Sequence, residues 1–167
     1  MQNNISTNRL LLNLLTKEDH EFILQLLNSQ GWIKFIGDRN VHSKEEAVAY
    51  INKILASENL FYWIVRIQGE NLPVGIISFI KRSYLDYFDI GFAFLPEYNG
   101  YGYAYEAAQK ILFIMSGQLN HHPILATTKP GNTKSIKLLN KLGLHFKKEL
   151  NLESEMIHIY SNAASTS

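Results

Sequence analysis

Hydrophobic residues recur along the chain in two spacings. Some segments alternate apolar and polar residues, which predicts β-strands, and others repeat apolar residues every three or four positions, which predicts helices with one buried face. The strand segments are residues 9–15, 60–67, 74–81, 87–94, 124–128, 144–150 and 156–160. The helical segments are residues 17–30, 43–55, 103–116 and 133–142, with a short helical turn at residues 32–36.

Cap and turn residues mark the limits of these elements. Ser43 and Glu46 have the spacing of a capping box, so a helix begins directly after Ser43. Gly31 and Gly143 are predicted to end the helices before them, since glycine readily adopts the left-handed conformation found there. Residues 68–73 join two strand segments and predict an antiparallel hairpin.

The order of the segments predicts the fold class. One strand, two helices, three strands, one helix, one strand, one helix and two strands follow one another, which is typical of a layered mixed α/β domain. We expect a central, mixed, mostly antiparallel sheet of six to seven strands. The helix between the fourth and fifth strands makes that pair parallel. Residues 1–162 are predicted to form one domain, and residues 163–167 a flexible polar tail.

Composition limits the class of protein. Of the 167 residues, 46% are hydrophobic and 19% are charged, as in soluble globular proteins. No apolar run is long enough to cross a membrane, and the first residues lack a signal-peptide pattern, so we expect a cytoplasmic protein without a membrane partner. The absence of cysteine excludes disulfides, thiolate metal sites and a cysteine nucleophile, and we expect no metal.

The net charge of +1 conceals an uneven distribution. Residues 107–148 contain no Asp or Glu but seven lysines. These are Lys110, Lys129, Lys134, Lys137, Lys141, Lys147 and Lys148. They fit either a solvated helix face or a basic rim for a polyanionic ligand. The sequence has no arginine-rich cluster or nucleic-acid-binding motif, so we expect no nucleic-acid partner.

A glycine turn follows the predicted strand at residues 87–94. Gly100 and Gly102 stand just before the next helix, and two glycines let the backbone approach a bulky ligand closely. The unpaired N–H groups and positive dipole end of that helix favour a phosphate at the same place, so the sequence predicts an anion site. Dinucleotide and P-loop sites are not indicated, because Tyr105 occupies the position of the third glycine and no Gly-Lys-Ser/Thr triplet occurs.

A second segment strengthens this prediction. Residues 132–146 follow the glycine turn after one helix and one strand, and the two segments together resemble the GNAT superfamily of acyl-CoA-dependent N-acetyltransferases. The coenzyme loop of that superfamily is Gln/Arg-x-x-Gly-x-Gly/Ala, which Asn99, Gly102 and Ala104 match at the last two positions. Asn99 replaces the longer Gln or Arg side chain.

The second segment resembles the superfamily's later element, an Asn followed by a Ser three residues later and a Gly-Phe-like end. Asn132, Ser135 and the pair Gly143-Leu144 occupy these positions. Within the superfamily the chain is most similar to the ribosomal-protein N-terminal acetyltransferases, over residues 7–160. That similarity depends on residues 7–12, 37–39, 89–92 and 100–107.

This resemblance implies a fold with helices on both faces of the sheet and with the fourth and fifth predicted strands splayed apart. The pantetheine arm of acetyl-CoA, a co-substrate, would fill the gap, and the N–H of Phe94 would meet the thioester oxygen as it gains charge. The implied coenzyme-binding residues are Phe92, Phe94, Leu95, Asn99, Gly100, Tyr101, Gly102, Tyr103, Ala104, Asn132 and Ser135. Of these, Asn132 is expected chiefly to cap its helix.

The resemblance also implies two side chains for proton transfer. An ammonium cannot attack a thioester, so a base is needed, and Asp89 stands where the related branch commonly has an acid. Asp89 could equally form an ion pair with a nearby lysine or arginine. Ser135 is the candidate to protonate the departing CoA thiolate, or it is simply a polar residue in the first turn of a helix. Many GNAT proteins carry a tyrosine for this role where this chain has Leu139.

We therefore expect an acetyl-CoA-dependent N-acyltransferase that moves an acetyl group to a primary amine by direct attack in a ternary complex. The amine belongs to a protein N-terminus or to a small molecule, and the protein is a monomer or a homodimer. Two alternatives stay open: a non-catalytic acyl-CoA sensor, and an acetyltransferase of polyamines or aminoglycosides. The latter would have acidic residues at the mouth of its site, for which Asp38, Glu45, Glu46 and Asp86 are available.

Overall fold

One mixed β-sheet runs through the part of the chain that the computed structural model describes, residues 1–153 and 155–163. Its strands are β1 (Asn4–Ser6), β2 (Leu10–Leu14), β3 (Leu60–Ile67), β4 (Leu72–Ile80), β5 (Asp89–Phe94), β6 (Leu125–Thr128), β7 (His145–Leu152) and β8 (Glu155–Ser161). They lie side by side in the order β1-β2-β3-β4-β5-β6-β8-β7. Of the predicted polar tail, residues 164–167 lie outside the described residues.

The pairing of the strands matches the predicted class of sheet. Neighbouring strands are antiparallel except β5 and β6, which are parallel, so the mixed and mostly antiparallel sheet is confirmed. The described residues form eight strands rather than six or seven, because the short β1 pairs with β2 through Ile5 and Leu12. Three residues are too few to show an alternating pattern, so β1 left no signal in the sequence.

Five α-helices connect the strands within the described residues. They are α1 (His20–Leu27), α2 (Gln30–Phe35), α3 (Lys44–Leu55), α4 (Tyr103–Leu112) and α5 (Thr133–Lys141). The predicted capping box of α3 is confirmed, since Ser43 Oγ accepts from the Glu46 N–H over 3.1 Å and the Glu46 carboxylate accepts from the Ser43 N–H over 3.0 Å. No helix in the described part of the chain is both long and apolar enough to span a membrane.

The boundary between α1 and α2 differs from the prediction. Gly31 does not end the first helix; α1 ends at Leu27, and Gly31 lies inside α2. Side chains just after α1 compete for its last carbonyls, because Asn28 Nδ2 donates to Leu24 over 2.8 Å and Ser29 Oγ donates to Leu26 over 2.7 Å. Such local hydrogen bonds favour the end of a helix and substitute for a glycine cap.

Two hydrophobic clusters pack on opposite faces of the sheet, which confirms that helices cover both. The α4 face is covered by α4 and α5, and the α1–α3 face by α1, α2 and α3. Buried side chains on the α4 face include Leu12, Trp63, Ile77, Phe79, Ile90, Ile111 and Leu139. Buried side chains on the α1–α3 face include Phe22, Trp32, Ile51, Ile64, Ile76 and Leu95. The sheet between them places the ends of β5 and β6 next to α4 and α5.

Candidate functional site

The strands β5 and β6 separate soon after they meet. Their parallel pairing has a single register point, Asp89 opposite Leu125, next to which the Leu125 N–H donates to the Phe88 carbonyl over 2.9 Å. Beyond that point, toward Phe94 and Thr128, the two strands do not pair. The splayed strands expected from the resemblance are therefore confirmed, and they leave a gap that is closed at Asp89 and open at the carboxyl ends.

Alternate residues of β5 present their backbone groups to this gap. The Leu95 N–H donates to the Val74 carbonyl of the β4 side over 3.0 Å, and its own carbonyl accepts from the Tyr98 N–H over 3.0 Å. Because antiparallel pairing uses every second residue, the N–H and C=O groups of Phe92 and Phe94 point away from β4 and into the gap. Leu95, predicted as a coenzyme contact, thus has both backbone groups already bonded within the protein.

The side chain of Phe94 packs against the α4-face cluster. Its ring covers Gly75 of β4, where an added Cβ would come within 2.4 Å of the ring. Only a glycine at this position lets the ring pack on the α4 face. The close approach holds the end of β5 in place at the edge of the gap.

Two helix N-termini flank the open end of the gap. α4 begins after β5 and α5 begins after β6, and both lie on the α4 face. The helices touch each other, with Lys141 Nζ 4.2 Å from the centre of the Tyr105 ring. Carboxyl ends of neighbouring parallel strands form the crevice in which ligands of open α/β sheets bind.

The glycine turn presents a row of unpaired donors at this crevice. None of the six backbone N–H groups of residues 100–105 donates to another described residue. Gly100 and Gly102 have φ of +88° and +81°, and Gly102 is the N-cap of α4. We call these six N–H groups the cradle. Converging donors at a helix N-terminus are suited to bind a phosphate.

A cluster of side chains around Arg9 contacts the glycine turn and the first turn of α4. Arg9 Nε donates to Glu106 over 2.7 Å, and Arg9 Nη1 donates to the Tyr101 carbonyl over 2.9 Å. Thr7 Oγ1 donates to the same carboxylate over 2.6 Å. Partial burial raises the pKa of Glu106, but the hydrogen bonds from Thr7 and Arg9 outweigh it and hold the pKa below its ordinary value. Glu106 is therefore an ionised, fully engaged carboxylate.

Asp89 lies at the closed end of the gap, where it is 1% exposed. Its Oδ2 accepts from Arg82 Nε over 2.9 Å and from Thr127 Oγ1 over 3.1 Å, which is the ion pair that sequence reasoning kept as the alternative to a base. Its Oδ1 has no partner among the described residues. Burial raises the pKa of Asp89, and the lowering effect of Arg82 and Thr127 does not cancel it.

Along the strand, Asp89 is distant from the predicted oxyanion donor. It stands three residues before Phe92 and five before Phe94, which in extended backbone correspond to about 10 Å and about 16 Å. A proton transfer from an amine near Phe94 to Asp89 therefore needs intervening water.

Asn132 and Ser135 lie at the open end of the gap. Asn132 Oδ1 accepts from the Ser135 N–H over 3.2 Å, so Asn132 caps α5. The Ser135 hydroxyl is half-buried and makes no hydrogen bond with another described residue. Leu139 is 1% exposed within the α4-face cluster. Ser135 and Asp89, the two predicted proton-transfer residues, thus lie toward opposite ends of the gap.

Comparison with known proteins decides the family. The sequence profile of the acetyltransferase (GNAT) domain matches residues 9–145. The chain belongs to the GNAT acetyltransferase family. The resemblance inferred from the glycine turn and the second segment is confirmed. A group of three or more metal-ligating side chains occurs nowhere in the described residues.

Relatives of this GNAT protein span nearly its whole length. An uncharacterized N-acetyltransferase of Bacillus subtilis, YnaD, is 32% identical over 140 residues, or 84% of this chain and 81% of that protein. A GNAT-family acetyltransferase from Bacillus anthracis has a crystal structure with a TM-score of 0.80 at 28% identity, covering 95% of this chain and 96% of that one. A ribosomal-protein-S5-alanine acetyltransferase from Vibrio fischeri shares the fold, with a TM-score of 0.79 at 18% identity and coverage of 99% and 98%.

Sequence reasoning missed the side chains that support the GNAT site. Arg9 entered only as part of the stretch that carried the resemblance, and its partner Glu106 is 97 residues away. Arg82 follows β4 and Thr127 lies in β6, and both side chains bond to Asp89. Of the seven lysines, Lys129 pairs with Glu155 over 2.5 Å and Lys141 stacks on Tyr105, so the acid-free segment is partly a set of local contacts.

Proposed function

We propose that this GNAT protein transfers the acetyl group of acetyl-CoA to a primary amine by direct attack in a ternary complex. The observation that carries the proposal is the cradle, six unpaired N–H groups at the open end of a strand gap. Four of them, in residues 100–103, belong to the glycine turn and the first helical residue, where the α4 dipole would stabilise a diphosphate.

The gap would hold the remainder of the coenzyme. Phe92 and Phe94 would offer their backbone groups to the amide-bearing pantetheine arm, as a neighbouring strand would. The Phe94 N–H would also stabilise the oxygen of the thioester as it gains charge, an effect of about 3 to 4 kcal/mol where one such donor has been removed from other enzymes.

Two side chains would move protons. Asp89 Oδ1, buried and without a described partner, would receive the proton of the amine through a chain of waters, and its raised pKa suits a base. The Ser135 hydroxyl would protonate the departing thiolate. It lacks a basic partner among the described residues, which favours direct attack over an acyl-serine intermediate.

Two of the four acids available for a polyamine acceptor also accept local backbone N–H groups. Glu46 accepts from the His42 and Ser43 N–H groups over 2.6 and 3.0 Å, and Asp38 accepts from the Asn40 N–H over 2.8 Å. Both carboxylates keep their negative charge, so the panel of acceptors includes polyamines beside peptides and simple amines.

A panel of acceptors tests the proposal. Peptides, amino acids, polyamines and aminoglycosides are incubated with the protein and acetyl-CoA, and free thiol is measured. Because the chain contains no cysteine, a thiol reagent detects only released CoA. Amine-dependent thiol release is expected for an N-acetyltransferase. Coenzyme binding without release for any amine would instead indicate an acyl-CoA sensor.

A further inference from the structure

Arg9 connects the start of the chain to the cradle. Its guanidinium bonds to Glu106 and to the Tyr101 carbonyl, and its central carbon lies 4.8 Å from the centre of the Tyr103 ring. Its Nη2 is 3.4 Å from the position that a Cβ would take on Gly102. The Arg9 side chain thus touches or faces Tyr101, Gly102, Tyr103 and Glu106.

The bond to Tyr101 fixes the orientation of the next donor. In a trans peptide, the C=O and the following N–H point in opposite directions. Because Arg9 holds the Tyr101 carbonyl on its own side, the Gly102 N–H points away from Arg9. Arg9 therefore orients a cradle donor from behind and leaves the ligand side free.

Glu106 would compete for the cradle if it were unrestrained. A carboxylate in the first turn of a helix is attracted to the N–H groups and the positive dipole end there. Here its Oε1 accepts from Thr7 Oγ1 over 2.6 Å and from the Arg9 N–H over 3.0 Å, while its Oε2 accepts from Arg9 Nε. Both oxygens are held on the Arg9 side, away from the donors that an external anion would need.

We propose that Arg9 is a positioning residue for coenzyme binding, which directs the Gly102 N–H into the cradle and keeps the Glu106 carboxylate out of it. The inference rests on the proposed function, because the ligand of the cradle is taken to be the coenzyme diphosphate. Arg9 lies behind the cradle, so it affects the affinity for the coenzyme and not the chemical step.

Kinetics and calorimetry of Arg9→Gln test this role. The KM for acetyl-CoA and the Kd for CoA should rise roughly tenfold or more, since hydrogen bonds between charged groups are lost. The kcat at saturating acetyl-CoA and the KM for the acceptor should stay unchanged. Arg9→Lys keeps the charge but cannot reach Glu106 and Tyr101 together, so its KM should be intermediate. Adding Glu106→Gln to Arg9→Gln should restore part of the affinity, because the competing carboxylate is gone.

Arg66→Gln is the matched control. Arg66, in β3, forms another arginine–carboxylate pair with Asp19, which lies just before α1, and both residues are outside the cradle. It should lower the free energy of unfolding without changing the Kd for CoA. A wild-type Kd in Arg9→Gln, or an equal rise in Arg66→Gln, would overturn the inference. A double variant as weak as Arg9→Gln would refute the part assigned to Glu106.

An NMR measurement without coenzyme separates this inference from the proposed function. The amide resonance of Gly102 should move in Arg9→Gln and stay in place in Arg66→Gln. If the wild-type protein binds no CoA, the proposed function fails, and the resonance still reports whether Arg9 orients the Gly102 peptide. An unmoved Gly102 resonance in Arg9→Gln would overturn the inference itself.

Discussion

At Gly102 both the backbone conformation and the proposed ligand require a residue without a side chain. The φ of +81° costs a residue with a Cβ about 1 to 2 kcal/mol, and the new Cβ would lie 3.4 Å from Arg9 Nη2. We predict that Gly102→Glu shows no CoA binding in calorimetry, because its carboxylate would compete with Glu106 and the Tyr101 carbonyl for Arg9 and would add a negative charge beside the diphosphate.

Gly69→Glu is the control for that prediction. Gly69 has φ +87° and nothing within 4 Å of an added Cβ, so it carries the same backbone strain in the β3–β4 turn, outside the glycine turn. Both variants should lose about 1 kcal/mol of stability, but Gly69→Glu should bind CoA normally. Normal binding by Gly102→Glu would show that the glycine turn is not the coenzyme site.

Asp89→Asn tests the proposed base through its pH dependence. At a pH where the acceptor is mostly an ammonium, we expect a rate deficit on the order of a hundredfold, the lower range for general base catalysis. The deficit should shrink as the pH rises, since the free amine then needs no base. Asp19→Asn, in the Asp19–Arg66 pair, should lower stability without a pH-dependent rate deficit. A deficit that is constant with pH would assign Asp89 to structure alone.

The raised pKa of Asp89 also predicts a stability profile. The folded protein holds this proton more tightly than the unfolded chain, so Asp89 favours folding most below its unfolded pKa. That contribution is lost as the pH rises through the interval up to the folded pKa. Asp89→Asn should therefore show a weaker fall of the free energy of unfolding across this interval, measured by urea denaturation at a series of pH values.

Among the elements, α3 and α5 offer a matched pair of helix caps. Ser43 caps α3 and Asn132 caps α5, each by accepting from the N–H three residues later. Asn132→Ala and Ser43→Ala should each lower the free energy of unfolding by about 1 kcal/mol. Only Asn132→Ala should raise the KM for acetyl-CoA, because α5 alone of the two begins at the gap. An equal effect of both variants on the KM for acetyl-CoA would show that the start of α5 is not part of the coenzyme site.

Local patterns predicted most of the elements but not how they meet. Alternation and cap residues located the strands and the helix starts because both depend on residues a few positions apart. The gap depends on β5 and β6 pairing only at Asp89 and Leu125, and no local pattern shows where two strands stop pairing. The resemblance supplied that feature. The Arg9–Glu106 contact had no such source, because it depends on the packing of β2 against α4.

For the whole molecule, two tryptophans report on the two sides of the sheet. Trp63 is buried in the α4-face cluster and Trp32 in the α1–α3-face cluster. Followed separately in Trp32→Phe and Trp63→Phe, the clusters should unfold at one urea concentration, as expected for one domain. CoA at a hundred times its Kd should add about 2.7 kcal/mol to both. Different midpoints for the two probes would show that the faces unfold independently.

Because β5 and β6 pair at a single point, the sheet consists of two parts. Within the described residues, β1 to β5 form a five-stranded part and β6, β8 and β7 a three-stranded part, and the two parts pair within the sheet only at Asp89 and Leu125. Hydrogen bonding across the sheet is therefore interrupted between β5 and β6 in the protein alone. A ligand with amide groups, lying along the edge of β5, would form the hydrogen bonds that β6 does not form there. The bound ligand would then complete the hydrogen-bonding pattern of the sheet.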